Sequence, residues 1–310
     1  MVESYKNLLF YEINNLRFVL MKIAVIGSSK ENSTLVEEAE QIFDEVLYVP
    51  IDSVKLEVGE GQRALYKDVD LSTFDIILPL PKDTNREFFF LCLKILEKYT
   101  YTPISSDNFF IMDKKCLLMK KFIEQGLKVR KSAFLASNRT SKMLIENLKF
   151  PIVMRSYPGK RVLVTNAETL NNVLSLFKAG NIRILEKPIE AESALWFFVV
   201  GNEIVASYEQ LGENVRSISP DGEIISKLFR IKKAVDSDFF VVNFIRRKNS
   251  LILNDVLLTP DFSELDKVTG KNTSRLLLIY LKNKVESMRV SPITSLVNSM
   301  YSLIRKVFKT

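Results

Sequence analysis

The chain contains no histidine. That removes Ser-His-Asp triads, zinc-water hydrolases and imidazole general bases from the chemistries open to it. Catalysis would have to use carboxylates, lysine, arginine, backbone amides or a hard metal. Cysteine is scarce as well: Cys92 and Cys116 are too few for a disulfide framework or a zinc cluster and read as buried thiols in a reducing cytoplasm. No apolar run approaches the roughly 18 uncharged residues of a membrane-spanning helix, since Phe88–Leu96 is about nine residues long and flanked by charge. Glu3, Glu12 and Asn14 interrupt the apolar segment at the N-terminus, and no small-residue cleavage site follows, so a secretory signal is not expected. The expected location is cytoplasmic. Internal repeats and low-complexity stretches are also absent.

What is present points to a globular chain. With 310 residues and 47% apolar content, it can bury a sizeable core, arranged in two or three compact units. The net charge of +7 suits phosphates or an anionic surface, but it is spread too diffusely to mark nucleic acid as a partner.

The elements alternate in a readable order. Met21 to Ser29 is a β-branched run closing in Gly-Ser-Ser, followed by a capped helix from Ser33. Strands over Glu45–Pro50 and Phe74–Pro79 continue the βα alternation of a small parallel sheet. Residues 1–20 read as an extension ahead of Met21. Apolar Leu117, Leu118, Phe122 and Ile123 recur at helical spacing after Asp113, and Gly126 stands where a helix would end. From 151 to 190 the pattern is strand, turn, strand, amphipathic helix, strand. Next come a hairpin turning at Gly201-Asn202, a second hairpin over 239–258 around Arg246–Asn249, and a helix from about Ser274 to Val285.

Two stretches carry a family resemblance. Arg183-Ile184-Leu185-Glu186-Lys187-Pro188-Ile189-Glu190 is a β-run ending in Glu-Lys-x-Ile, and Phe197-Phe198-Val199-Val200-Gly201-Asn202-Glu203-Ile204-Val205-Ala206 is a hairpin after it. Taken alone they are also what an ordinary strand pair with a polar turn would show. Together with the Lys115 helix and Pro151–Arg155, in this order and at this spacing, they resemble the nucleotide-binding core of ATP-grasp proteins, particularly RimK-type carboxylate-amine ligases. The resemblance runs from about Met21 to Lys284. It implies an α+β ATP-grasp fold: a parallel α/β domain at 21–105, a central subdomain at 106–185 and a C-terminal subdomain at 186–286, followed by a basic tail at 287–310.

The same resemblance implies a set of site residues. Glu186 would accept from the exocyclic amine of adenine, with Lys187 and Ile189 beside it. Lys115 and Arg155 would meet the phosphates, Arg155 standing where the family has lysine; arginine keeps the charge and changes the geometry. Gly159 is the one glycine in Ser156–Lys160, where the family has a glycine-rich phosphate loop, so a stiffer lid is expected. The family's Asp, Glu and Asn metal ligands fall on Asn243, Asp255 and Leu257. One shortened carboxylate and one neutral oxygen would hold Mg²⁺ weakly or not at all. Arg216 is the remaining candidate catalytic arginine, while the family's Asp-x-Arg is replaced by Ala194-Leu195-Trp196, and Trp196 reads more readily as core filler.

The implied function is ATP or ADP binding with carboxylate-amine ligase chemistry through an acyl phosphate, catalysis being impaired or unusual, on carboxylate and amine substrates the sequence does not identify. The alternative is a catalytically dead scaffold acting as a binding or regulatory subunit. Residues 293–308 form a basic amphipathic stretch suited to a membrane surface or a protein partner, although packing on its own domain is the commoner use of such a helix.

Overall fold

A computed structural model describes residues 20–27, 33–81, 85–135, 150–156, 161–176, 183–248 and 250–289. The chain divides into two compact units. One comprises residues up to 81, 87–105 and 272 onward, and the other Ser106–Lys271 with residues 82–86.

The first unit is built on a parallel sheet. Strands β1 (Lys22–Gly27), β2 (Glu45–Pro50) and β6 (Ile76–Leu80) lie in the order β2-β1-β6, with Ile23 in register with both Val46 and Ile76. Ile23, Ala24, Val25 and Ile26 are fully buried, as expected of a central parallel strand covered on both faces. Helix α1 (Ser33–Glu40) provides the first crossover. Strands β3 (Val54–Val58), β4 (Gln62–Tyr66) and β5 (Val69–Asp70) form a separate antiparallel sheet that the sequence pattern did not single out. Helix α2 (Arg86–Leu96) buries Phe89, Cys92, Leu93 and Leu96. Residues 273–289 are helical and pack within this unit: Arg275 Nη1 donates to Glu38 Oε2 at 3.0 Å and Lys282 Nζ to the Ile42 carbonyl at 2.7 Å. Sequence order had placed most of this helix in the C-terminal subdomain.

The second unit opens with α3 (Ser106–Asp113) and α4 (Lys115–Glu124). Gly126 follows α4 with φ +69°, the left-handed position its place in the sequence predicted. A four-stranded antiparallel sheet follows, β7 (Ser132–Leu135), β8 (Ile152–Ser156), β9 (Arg161–Val164) and β10 (Arg183–Glu186), in the order β7-β10-β8-β9. Helix α5 (Ala167–Leu176) lays Leu170, Val173 and Leu174 against Leu135, Ile152, Met154, Val164 and Leu185.

A five-stranded antiparallel sheet completes the unit. Its strands are β11 (Ser193–Val200), β12 (Glu203–Leu211), β13 (Asn214–Ser217), β14 (Phe239–Arg247) and β15 (Ser250–Leu257), ordered β13-β12-β11-β14-β15. Phe197 and Phe244 pack edge to face at 6.0 Å in its core. Helix α6 (Gly222–Val235) starts at Asp221, whose carboxylate accepts from the Ile224 amide, and α7 (Phe262–Thr269) starts at Asp261, which accepts from Glu264 N–H. Both expected hairpins are present.

One expectation is corrected: Cys92 is buried and Cys116 is exposed. Cys116 follows the first residue of α4, and only the side of that helix carrying Leu118 and Phe122 turns inward. Residues 1–19, 157–160 including Gly159, the Arg155 side chain and the 293–308 stretch lie outside the described parts.

Candidate nucleotide site

Glu186 ends β10, and its side chain is fully buried. Arg130 Nη1 donates to its Oε2 at 2.9 Å, and Ser132 Oγ to its Oε1 at 3.1 Å. Lys115 Nζ, from the first residue of α4, lies 3.6 Å from the same Oε1. The two cationic side chains are themselves only 10–11% exposed. A buried carboxylate is tolerable only with such company, and these cations depend on it in turn.

Local structure brings Arg130 here. Leu253 N–H donates to the Lys128 carbonyl at 2.8 Å, and Val129 bridges Leu253 in parallel, so residues 128–130 run along the outer edge of β15. Sequence reading missed Arg130; its signal was a basic residue placed just before β7, whose Ser132 pairs in register with Glu186. Lys187 and Ile189 follow β10 in irregular structure and are half-buried. Arg155 lies in β8, in register with Ile184 on one side and Arg161 on the other.

The proposed metal positions are neighbours. Asn243 of β14 pairs in register with Asp255 of β15, next to an irregularity that leaves Asn254 without a cross-strand partner. Asn254 Nδ2 donates to Asn243 Oδ1 at 2.6 Å, and Asn243 Nδ2 reaches the Leu195 carbonyl at 3.4 Å. Asp255 faces a cation, Arg161 Nη2, at 3.7 Å. Leu257 pairs with Val241 and is 38% exposed. Among the described residues, no group of three or more His, Cys, Asp or Glu side chains could hold a metal ion. A single small cavity touches Lys115, Arg130, Asn254 and Asp255. The candidate phosphate lysine and the candidate metal carboxylate therefore share one site. Arg130 Nε and Asn254 Oδ1 are buried there without a hydrogen-bond partner.

Arg216 is not part of that group. The register aligns Ser217, Tyr208, Trp196, Asn243 and Asp255 in one row across the sheet, and Arg216, Glu209, Leu195, Phe244 and Leu253 in the next. Adjacent rows project to opposite faces of a sheet. On its own face, Arg216 Nη2 donates to Glu209 Oε2 at 2.6 Å, and Arg246 Nη1 and Ser193 Oγ donate to Oε1 at 2.9 and 2.6 Å. The Ser193 hydrogen bond, with the two guanidinium groups, holds the Glu209 carboxyl below the usual carboxylate range. On the other face, Trp196 is half-buried and stacks on Tyr208, with ring centroids 6.1 Å apart. Burial, with Glu264 beside it, pushes the Tyr208 phenol up.

A four-stranded and a five-stranded antiparallel sheet in one unit, with cations gathered at the end of β10 and along β15, define the class of protein: this is an ATP-grasp fold. Comparison with solved structures agrees. A RimK domain ATP-grasp protein from Sphaerobacter thermophilus superposes with a TM-score of 0.68 over 84% of this chain and 98% of its own, at 13% identity. The ATP-grasp ligase PsnB, complexed with a precursor peptide and AMPPNP, gives 0.64 over 85% and 97%, at 12% identity. The sequence family described as the RimK-like ATP-grasp domain matches residues 112–281, more than half of the chain. The chain belongs to this family. Among its relatives are probable alpha-L-glutamate ligases of Haemophilus influenzae, 21% identical over 68% of this chain and 77% of theirs, and of Pasteurella multocida, 18% identical over 71% and 76%.

Proposed function

We propose that this chain binds ATP or ADP at the Lys115–Arg130–Glu186 cluster and belongs to the carboxylate-amine ligase branch of its family, with impaired or unusual catalysis. The observation that carries this reading is the convergence of Lys115 and Arg130 on buried Glu186, in the same cavity as Asp255. The buried Glu186 carboxylate, expected from the resemblance to accept from the adenine amine, is engaged by Arg130, Ser132 and Lys115 and is assigned instead to fixing two cations where a polyphosphate would lie, with Lys187 and Ile189 beside the base. Ligases of this class work by positioning and charge neutralisation, activating a carboxylate as an acyl phosphate that an amine attacks, so a site without histidine is chemically adequate. The relatives' description makes glutamate the first amine substrate to try.

The donor set does not fit a pair of Mg²⁺ ions. Asp255 is the one carboxylate, Asn243 Oδ1 already accepts from Asn254, and Leu257 offers no oxygen. Mg²⁺ in nucleotide sites usually rests on one or two carboxylates together with phosphate oxygens. This favours slow turnover, and it gives weight to a second reading in which the protein is a binding or regulatory scaffold. A cytoplasmic location is part of the proposal; no described helix is long and apolar enough to cross a membrane.

Calorimetry with ATP and ADP tests the first reading, with dissociation constants expected at about the micromolar to millimolar level. Absence of heat and of thermal stabilisation at several times that range leaves only the scaffold. If ATP binds, phosphate release on adding glutamate and a carboxylate peptide at ordinary ligase rates, about 1–10³ per second, would refute impaired catalysis.

A further inference from the structure

Strand β13 is the outer strand of the five-stranded sheet, and among the described residues no strand pairs with its free side. Its four residues, Asn214, Val215, Arg216 and Ser217, are all exposed. Bonding to β12 fixes which backbone groups face outward. Ile218 N–H donates to the Ser207 carbonyl at 3.3 Å, and opposed residues of an antiparallel pair alternate between bonded and non-bonded. Glu209 with Arg216 and Leu211 with Asn214 are therefore bonded pairs. Val215 and Ser217, opposite Gln210 and Tyr208, aim their N–H and C=O at the open edge. Such an edge is a template for another strand unless its side chains guard it.

Arg216 does not guard it. Its Nε and Nη2 both donate to Glu209 Oε2, at 3.1 and 2.6 Å, and among the described residues these are its only hydrogen bonds. Glu209 is itself buried and also accepts from Arg246 and Ser193. A guanidinium held in this way cannot sweep the edge as a free lysine would, and its remaining N–H groups are presented on one fixed face, the side chain being 68% exposed. The other face carries the opposite charge: Glu264 and Asp261 lie beside Tyr208, which is in register with Ser217. Side chains of an added strand alternate between these two faces. The edge therefore suits a strand with a carboxylate at every second residue and uncharged residues between, which meet half-apolar ground at exposed Val215. A second copy of this chain suits it less, because any antiparallel pairing through Val215 and Ser217 sets both Arg216 side chains on one face, where like charges repel.

We propose that the β13 edge is a docking site for an extended acidic peptide of a partner protein, which adds a further strand to the sheet and sets a carboxylate opposite Arg216. Backbone bonds to Val215 and Ser217 supply affinity, and the guanidinium fork selects the sign of the partner. Arg216 and its new neighbour form the non-bonded type of pair, in which side chains approach more closely. The site goes beyond the nucleotide reading and stands apart from it, since Arg216 projects from the face away from Asn243 and Asp255.

The probe is a short blocked peptide alternating glutamate and valine, titrated into the full isotope-labelled chain without nucleotide and followed by NMR. It is expected to bind at about the millimolar level or tighter. Binding should slow hydrogen exchange at the Val215 and Ser217 amides and leave Asn214 and Arg216, already bonded to β12, unchanged. A peptide alternating lysine and valine should bind about tenfold more weakly, and Arg216→Ala should weaken the glutamate peptide by about the same factor. Val215→Pro removes an outward N–H and spares the β12 ladder, a change edge strands accept, and it should weaken binding while the chain stays folded by Trp196 emission. Equal affinity for the two peptides, unchanged affinity in a folded Arg216→Ala or Val215→Pro protein, or exchange protection confined to other amides overturns the proposal. Absence of binding at several millimolar peptide does the same. A dimer of this chain that Val215→Pro dissociates assigns the edge to a second copy and overturns it as well.

Discussion

Replacing Glu186 removes the one negative charge that two buried cations share. Its side chain is 0% exposed, and Lys115 and Arg130 are 11% and 10% exposed. In Glu186→Ala both cations lose their counter-charge and Ser132 Oγ its acceptor; breaking a buried pair in this way costs about 3–5 kcal/mol. Whole-protein stabilities are about 5–15 kcal/mol, so the variant should remain folded but be visibly weakened. Glu186→Gln preserves shape and one acceptor oxygen and should fall between the two. Urea unfolding followed by the emission of Trp196, the single tryptophan, reports on the unit that contains the cluster. With a slope of about 1–3 kcal/mol per molar, the alanine midpoint should drop by about 1 M or more. Pairing Glu186→Ala with Arg130→Met should recover about 0.5–3 kcal/mol relative to the sum of the single changes, because the second change removes a stranded cation. A loss below about 1 kcal/mol in the alanine variant, the level of an exposed ion pair, would mean that water reaches the cluster and that the reasoning from burial fails.

Other outcomes follow from the same geometry. The triple change Asn243→Asp, Asp255→Glu and Leu257→Asn should tighten Mg-ATP relative to metal-free ATP and raise background hydrolysis; a titration showing no change in metal preference would place the metal elsewhere. Because the folded-state Glu209 carboxyl lies below its unfolded value, its stabilisation is full above the ordinary value of 4.5 and is lost as pH falls through the folded value. Glu209→Gln should therefore lower the melting temperature at pH 7 and flatten its decline toward pH 3, and parallel acid curves for the two proteins would refute this. Burial pushes the Cys92 thiol up to about 12, so a thiol reagent at pH 8 should modify exposed Cys116 and spare Cys92 until the chain unfolds. Deleting 290–310 should leave ADP affinity within about twofold, since distant sites contribute nearly independently and the cluster lies between Lys115 and Asp255.

Sequence order alone determined the main layers of this protein. β-branched runs with turn residues at their ends specified β1, β2 and β6, both hairpins of the large sheet and the helix that stops at Gly126, because hydrophobic period and left-handed glycine positions are local properties. The resemblance to RimK-type proteins, rather than periodicity, marked Lys115, Glu186, Asn243 and Asp255, of which Lys115 opens α4 and the other three lie on β10, β14 and β15. Tertiary structure alone decided which charges meet. Arg130 and Arg161 lie 56 and 94 positions from their carboxylates, a separation at which no sequence pattern distinguishes a pairing arginine from a solvated one. The parity of β13 against β12 turned Arg216 away from Asn243 and Asp255, a consequence of register that a single inserted residue would reverse. Likewise, the 273–289 helix reads as the end of the C-terminal subdomain because chain order is all that sequence offers, and it packs with the parallel sheet because its apolar face and its basic residues find Glu38 and Ile42 there.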